Sequence, residues 1–365
     1  MMLRRYSRHL LIPEVGLEGQ RRLSAARVLC VGAGGLGSPV LAYLAAAGVG
    51  RIGIVDDDTV DETNLQRQTL FATPDIGRSK VIVAAERLSA LNPQVELDPF
   101  GIRFDAGNAR TLVRPYDVVV DCTDRFSSRY QINDACVLEG KPDVYGSLFR
   151  FDGQVSVFNL AGGPCYRCLF PSPPPRESVP TCAEGGVLGA LAGIVGAFQA
   201  SEALKVILRM GTPLAGRLLL IEALGGSTRD VRFERDPACA LCGIAPSILD
   251  VQEAKEEDEP AFSDASEIAP SALADAMSAA TLLDVREPHE AVLGILPGSV
   301  HIPASQLEAR MHELDSAGTY IVACRLGQRS RWAMQRLHDA GFRRLLHLRG
   351  GLLAYAVQDA KLAIF

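Results

Sequence analysis

The stretch that decides the fold is Val28-Leu-Cys-Val-Gly-Ala-Gly-Gly-Leu-Gly-Ser38. Its apolar opening, Val28 to Val31, reads as a buried strand of a parallel sheet, because no polar residue interrupts it. Gly32, Gly34 and Gly37 follow at the spacing of a strand-to-helix turn, and the Ala-rich run Val40 to Ala47 has helical character. Glycines there let the backbone approach a phosphate, while the helix start supplies unpaired N–H groups and the positive end of a dipole. A second strand, Arg51 to Val55, ends in Asp56. It lies about 20 residues past the glycines, where a carboxylate reaches ribose hydroxyls. The pattern predicts a nucleotide-binding α/β domain. On its own it fits NAD as well as ATP.

The residues downstream narrow the choice. Asp57 to Gln68 is too polar for a core element and too long for a tight turn, so it predicts a surface loop. Asn64, Arg67 and Gln68 nonetheless fall just past the carboxyl end of a strand, where open α/β sheets hold ligands. Ile76-Gly-Arg-Ser-Lys80 opens a helix running to about Leu91. Lys80 sits in its first turn, where a cation opposes the dipole unless an anion joins it. Further strands are predicted at Val95 to Ile102 and Asp117 to Val120. The second ends in Asp121-Cys-Thr-Asp124, ahead of a helix carrying Arg129, Asn133 and Asp134. A carboxylate facing a phosphate site suits Mg²⁺; the plainer task for Asp121 or Thr123 is to cap that helix. Asp143 to Leu148 and Gly153 to Asn159 alternate in polarity and predict an antiparallel addition.

Nine cysteines with no secretory signal point to thiols, metal ligands or catalysis in a reducing cytoplasm. Cys165-Tyr-Arg-Cys168 and Cys239-Ala-Leu-Cys242 supply four thiolates, the ligand set of a closed tetrahedral Zn²⁺ site that would pin two distant segments. Cys182, in Thr181-Cys-Ala-Glu-Gly-Gly186, belongs to neither pair. The apolar segment Gly185 to Ala200 is short, Gly-rich and ends in polar residues, so it predicts a buried helix rather than a membrane span. A net charge of −6 argues against a nucleic-acid surface. The 365 residues suit a large domain plus a small one, with the acidic stretch 244–271 as a solvated linker between 1–243 and 272–365.

After the linker, strands and helices alternate again. Thr281 to Arg286, Gly298 to Ile302, Tyr320 to Cys324 and Leu345 to Leu348 read as strands, with a helix between Ser330 and about Ala340. Cys324 therefore lies where a strand gives way to a loop entering a helix. Backbone N–H groups, the dipole and two neighbours, Arg325 and Arg329, are expected to hold it as a thiolate.

On these residues the chain resembles two known families. Residues 4 to 243 are similar to the MoeB/ThiF family, bacterial relatives of ubiquitin-activating enzymes. The matching motifs are Arg5-Tyr-Ser-Arg8, Gly32-Ala-Gly-Gly-Leu-Gly37, Asp56, Asn64-Leu-Gln-Arg-Gln68, Lys80, Asp121-Cys-Thr-Asp124, both cysteine pairs and Thr181-Cys182. Residues 272 to 360 look like a rhodanese domain, through Leu283-Asp-Val-Arg-Glu287, Pro297-Gly298, Cys324-Arg-Leu-Gly-Gln-Arg-Ser330 and Gly350-Gly351. The order is similar to that of MoeZ-type proteins. The resemblance implies a Rossmann-like, mostly parallel sheet with an antiparallel part and structural zinc, plus a smaller α/β rhodanese-like domain.

It also implies a reaction. ATP and the C-terminal glycine of a ubiquitin-like sulfur carrier protein ending in Gly-Gly would give an acyl-adenylate, which a Cys324 persulfide converts to a thiocarboxylate. By resemblance, Gly34 and Gly35 line the phosphates, Asp56 holds the ribose, and Asn64 and Gln68 complete the nucleotide site. Arg67 and Lys80 neutralise developing charge, Asp124 holds Mg²⁺, and Arg8 reaches ATP from the partner subunit of a homodimer. Arg125 follows Asp124 where the family often has Asn. Cys182 either accepts sulfur in an acyl persulfide step or gates a crossover loop. Sulfur would come from a donor such as a cysteine desulfurase, and carriers of this kind feed molybdopterin, thiamine, cysteine or another thiolated product. Two other readings compete: an adenylating enzyme for a small molecule or RNA with a rhodanese sensor, and an NAD-dependent oxidoreductase fused to a binding module. Arg67, Lys80 and Asp124 disfavour the second, since a dinucleotide needs neither a γ-phosphate clamp nor Mg²⁺.

Overall fold

The structure, a computed structural model, describes residues 4–173, 186–253, 267–292 and 294–358. The chain divides into two compact units, Met1–Ala254 and Lys255–Phe365.

The first unit is built on β1 (Arg27–Val31), the predicted strand, with β2 (Arg51–Val55) beside it in parallel and β3 (Glu96–Phe100) beyond. On the other side of β1 come β4 (Val118–Asp121) and β5 (Asp143–Phe149), also parallel. β6 (Asp152–Phe158), β7 (Arg217–Glu222) and β8 (Ser227–Arg232) then continue as an antiparallel meander, so the order is β3-β2-β1-β4-β5-β6-β7-β8. The chain leaves β1 in one direction and later returns on its other side. That reversal opens a crevice at the carboxyl ends of β1 and β4. The register pairs Val31 with Val55 and with Asp121, so Gly32, Asp56 and Cys122 emerge side by side at the crevice.

β1 is covered on both faces, which is why its sequence does not alternate. Val28 and Cys30 pack under the helices Gly37–Ala47, Lys80–Leu91 and Gly189–Leu208, while Leu29 and Val31 pack with Ile132 and Ala135 of the helix Phe126–Leu138. Two glycines are required by geometry. Gly32 has φ +98°, and a Cβ there would lie 2.7 Å from the Cys122 carbonyl oxygen. A Cβ on Gly37 would come within 2.1 Å of the Gly32 carbonyl oxygen, so the helix could not sit this close to the turn.

The helix Gly189–Leu208 is long and apolar enough to cross a membrane by length and composition, yet half of it is buried in the fold. Its polar residues anchor it there. Gln199 donates to the carbonyls of Asp121 (2.7 Å) and Val144 (3.1 Å), and Glu202 accepts from the Leu214 N–H (2.8 Å).

Two departures from the sequence reading concern short elements. The helix Gly16–Ala25 has no counterpart in it; Gln20, fully buried, donates to the Ala47 carbonyl at 2.9 Å. The stretch after Ile244 is not simply solvated either: Val251 is buried in the cluster around Tyr116, and Asp250 pairs with Arg110 at 3.2 Å. One apolar side chain in an acidic run gives composition nothing to detect. Residues 254–266 lie outside the described residues.

The second unit is a five-stranded parallel sheet. β9 is Glu267–Ile268, β10 Thr281–Asp284, β11 Val300–His301, β12 Thr319–Ala323 and β13 Arg344–Leu348, in the order β11-β10-β12-β13-β9. β12 is central, and Cys324 is the first residue past its carboxyl end. β9, two residues long, falls inside the stretch the sequence assigned to the linker.

Candidate functional site

The crevice of the first unit is lined by Gly34, Gly35, Asp56, Arg67, Gln68, Lys80 and Asp124. All seven were singled out from sequence. The Gly34 and Gly35 backbone forms one wall; a Cβ on Gly35 would touch Arg67 and Ala192 at 3.4 Å. Asp56 accepts from the N–H groups of Ala33 (2.8 Å) and Asp58 (2.9 Å), which fixes its carboxylate at the end of β2. Burial pushes its pKa up, and nearby Lys80 opposes that.

Lys80 is the first residue of its helix and is nearly buried. Its ammonium ion meets Asp58 at 2.8 Å, so the anion that its placement demanded is, in this structure, a carboxylate. Asp58 is well exposed and is therefore a partner that a phosphate can displace at low cost. Arg67 is held by the Thr63 carbonyl at 3.0 Å.

Two candidates fall outside this set. Asn64 ends the short helical turn Glu62–Asn64, with its amide 3.5 Å from the Thr63 hydroxyl, and does not line the crevice. Arg8 is exposed on the helix Ser7–Leu10 and does not line it either. Neither Asp121 nor Thr123 caps the following helix. Asp121 instead accepts from the N–H and hydroxyl of Thr123 (2.9 and 2.6 Å), and the helix starts after Arg125 without a side-chain cap.

Sequence reasoning assigned no site role to several residues of the crevice. Asp57, Asp58, Arg103, Arg125, Ser128 and Arg129 all line it. Arg129 is buried, stacks over Phe126 and Tyr145 at 5.0 and 5.6 Å, and donates to the Thr123 carbonyl. Its guanidinium opposes the rise that burial imposes on the Asp121 pKa. The available signal was spacing: Arg125 and Arg129 are one helical turn apart, immediately after Asp124.

The two C-x-x-C pairs come together. Sulfur–sulfur distances are 3.9 Å for Cys165–Cys168, 3.7 Å for Cys165–Cys239 and 3.3 Å for Cys168–Cys242, and all four lie within 4.8 Å of one another. Ligands about 2.3 Å from a tetrahedral Zn²⁺ sit about 3.8 Å apart, so the cluster is compatible with zinc. Cys182 lies outside the described residues.

In the second unit Cys324 is almost fully buried, and its sulfur accepts the Gly327 N–H at 3.1 Å. The helix Gln328–Asp339 starts immediately beyond. Of the two arginines expected to serve the sulfur, Arg329 makes a bidentate pair with Glu290 at 2.5 and 2.7 Å. Against the upward push of burial, that guanidinium holds the Glu290 carboxyl below its ordinary pKa. Arg329 thus braces the loop to the helix Pro288–Ala291. The sequence could not show it, because Glu290 is 39 residues away.

Comparison with known proteins turns these geometries into an identity. Residues 6–241 match the ThiF family, and residues 269–358 match the rhodanese-like domain. The adenylyltransferase and sulfurtransferase MOCS3 of Bos taurus is 42% identical over 98% of this chain and 86% of its own length. The chain belongs to the ThiF family. A sulfur carrier protein adenylyltransferase of Thermus thermophilus is 54% identical, over 67% of this chain and 92% of its own. Among solved structures, E. coli MccB with succinimide superposes on the ThiF unit's fold with a TM-score of 0.58 at 23% identity, over 67% of this chain and 74% of that one. The expected Rossmann-like sheet with its antiparallel part and the second, rhodanese-like unit are both borne out. In the rhodanese-like unit Asp284 and Arg286, both fully buried, pair through several hydrogen bonds of 2.6–3.0 Å beside the central strand. Removing one partner of such a pair costs about 3–5 kcal/mol, because the other charge is left buried and unpaired.

Proposed function

We propose that this adenylyltransferase and sulfurtransferase uses ATP to adenylate the C-terminal glycine of a ubiquitin-like sulfur carrier protein, then replaces the adenylate with sulfur from a Cys324 persulfide. The observation that carries the reading is the convergence of Lys80, Arg67 and Asp124 on the Gly34–Gly35 wall, in a chain that also presents Cys324 in a rhodanese-like loop. Lys80 exchanges Asp58 for phosphate oxygens, Asp56 takes the ribose and Asp124 holds Mg²⁺. Arg8 comes from the partner subunit of a homodimer. The carrier carboxylate attacks the α-phosphorus and pyrophosphate leaves; such displacement needs positioning and charge neutralisation above all. The terminal sulfur of the persulfide, supplied by a donor such as a cysteine desulfurase, then attacks the acyl carbon and AMP leaves. An external thiol cleaves the resulting S–S bond at the Cys324 sulfur and releases the thiocarboxylate, and a second external thiol reduces the mixed disulfide left on Cys324.

ATP–pyrophosphate exchange tests the first half. Exchange is expected only when a Gly-Gly-ended carrier is present. Exchange driven by a small acid or RNA without carrier would establish the competing reading.

We further propose that the four-cysteine cluster holds one structural Zn²⁺, joining Cys165 and Cys168 to Cys239 and Cys242 across more than 70 residues. The purified chain should carry one zinc by elemental analysis. Cys239→Ser or prolonged chelation should release it and lower thermal stability by several kcal/mol, a fraction of the ~10–16 kcal/mol that zinc contributes to isolated fingers. A Cys239→Ser chain with unchanged melting would count against the zinc.

A further inference from the structure

The loop that presents Cys324 is held from behind by an arrangement that the proposed reaction does not use. Gly327 has φ +100°, a conformation that favours glycine, and a Cβ there would press on His347 Cε1 and Nε2 at 3.3 Å. Its N–H donates to the Cys324 sulfur at 3.1 Å. Its carbonyl lies 2.9 Å from His347 Nε2 and also accepts from the Ser330 hydroxyl at 2.9 Å. A carbonyl only accepts, so Nε2 carries a proton. The other ring nitrogen, Nδ1, faces Glu267 at 3.2 Å, and Glu267 is held in turn by Arg331 at 2.7 Å.

We propose that His347 is a positioning residue for sulfur transfer: its Nε2–H fixes the Gly327 carbonyl, which holds the Gly327 N–H on the Cys324 sulfur. The inference rests on the reading of Cys324 as the sulfur-carrying residue. An N–H aimed at an anionic sulfur stabilises thiolate and persulfide, and its worth depends on geometry fixed in advance. The groups facing the ring are Glu267 from β9, Arg331 and Ser330 from the helix Gln328–Asp339, and Gly327 itself. Burial pulls the His347 pKa below the ordinary histidine value and Arg331 adds to that, while the Gly327 carbonyl and Glu267 oppose.

The test uses the full chain with His347→Leu, His347→Gln and Glu267→Gln. Two quantities are read: thiosulfate-to-cyanide sulfur transfer, and the pH profile of Cys324 alkylation by iodoacetamide followed on its peptide by mass spectrometry. His347→Leu should lower kcat about tenfold with little change in KM and move the alkylation midpoint about one pH unit upward, the scale of one lost hydrogen bond. His347→Gln, which can still donate to the Gly327 carbonyl, should restore most of both. Should the Leu variant fail to fold, Glu267→Gln decides, since it leaves the ring in place and only loosens it. A partial loss of both quantities supports the role and no change overturns it. A wild-type profile in His347→Leu, or a Gln variant as poor as Leu, would also overturn it. No sulfur transfer by the wild-type chain, with the alkylation midpoint still displaced in His347→Leu, would refute the sulfur-transfer reading and leave the positioning of the Cys324 sulfur intact.

Discussion

Lys80→Ala should reduce carrier-dependent ATP–pyrophosphate exchange by about 10²–10³, the range for removing one group that faces developing charge. Its fold should be little affected. Lys80 begins a helix, so its charge opposes the helix dipole, and its ion-pair partner is Asp58, which is well exposed. Removing the lysine relieves one unfavourable term and frees a carboxylate that water can solvate. Lys80 is nearly buried, so truncating its stem also loses packing, and melting should fall by about 1–2 kcal/mol, far short of unfolding. A residue whose charge does not help the fold, yet is needed for turnover, is what a phosphate-binding cation should look like. Mixing Lys80→Ala subunits with Arg8→Ala subunits extends the test. If Arg8 serves the partner's crevice, the mixed dimer has one intact site and regains part of the exchange. Two inactive variants that stay inactive on mixing would mean that Arg8 does not serve the partner's crevice.

Cys324→Ala should leave exchange unchanged and reduce thiocarboxylate formation to background. The thiol accepts one hydrogen bond from Gly327 and packs in the core of its unit, so its loss costs the fold about 1–2 kcal/mol. The crevice proposed for adenylation is lined by residues of the first unit, 31 to 192. Full thiocarboxylate formation by this variant would mean that sulfur reaches the adenylate without the rhodanese-like unit.

Much of this was legible in the sequence where chemistry and local pattern coincide. The run Val28 to Val31 with its glycines fixed the position of the crevice, because unbroken apolar character means a doubly covered strand and the turn must follow it. Lys80 was legible for the same reason: a cation at a helix start is a local anomaly. The four cysteines needed only their spacing. What stayed hidden depends on contacts distant in sequence. Arg329 looked like a neighbour of the Cys324 sulfur because they are five residues apart, but Glu290 claims its guanidinium. Glu267 sat inside an acidic run, and only the pairing of β9 with β13 brings it to His347. Arg129 reaches the crevice because Phe126 and Tyr145 hold its guanidinium there, and Tyr145 lies on a different strand.

The most direct measurement incubates the protein with ATP, Mg²⁺, a Gly-Gly-ended carrier and a persulfide donor, and weighs the carrier by mass spectrometry. The account predicts carrier in which one oxygen has been replaced by sulfur, with AMP and pyrophosphate released in equal amounts. AMP release with an unchanged carrier, or sulfur incorporation without ATP, would contradict it.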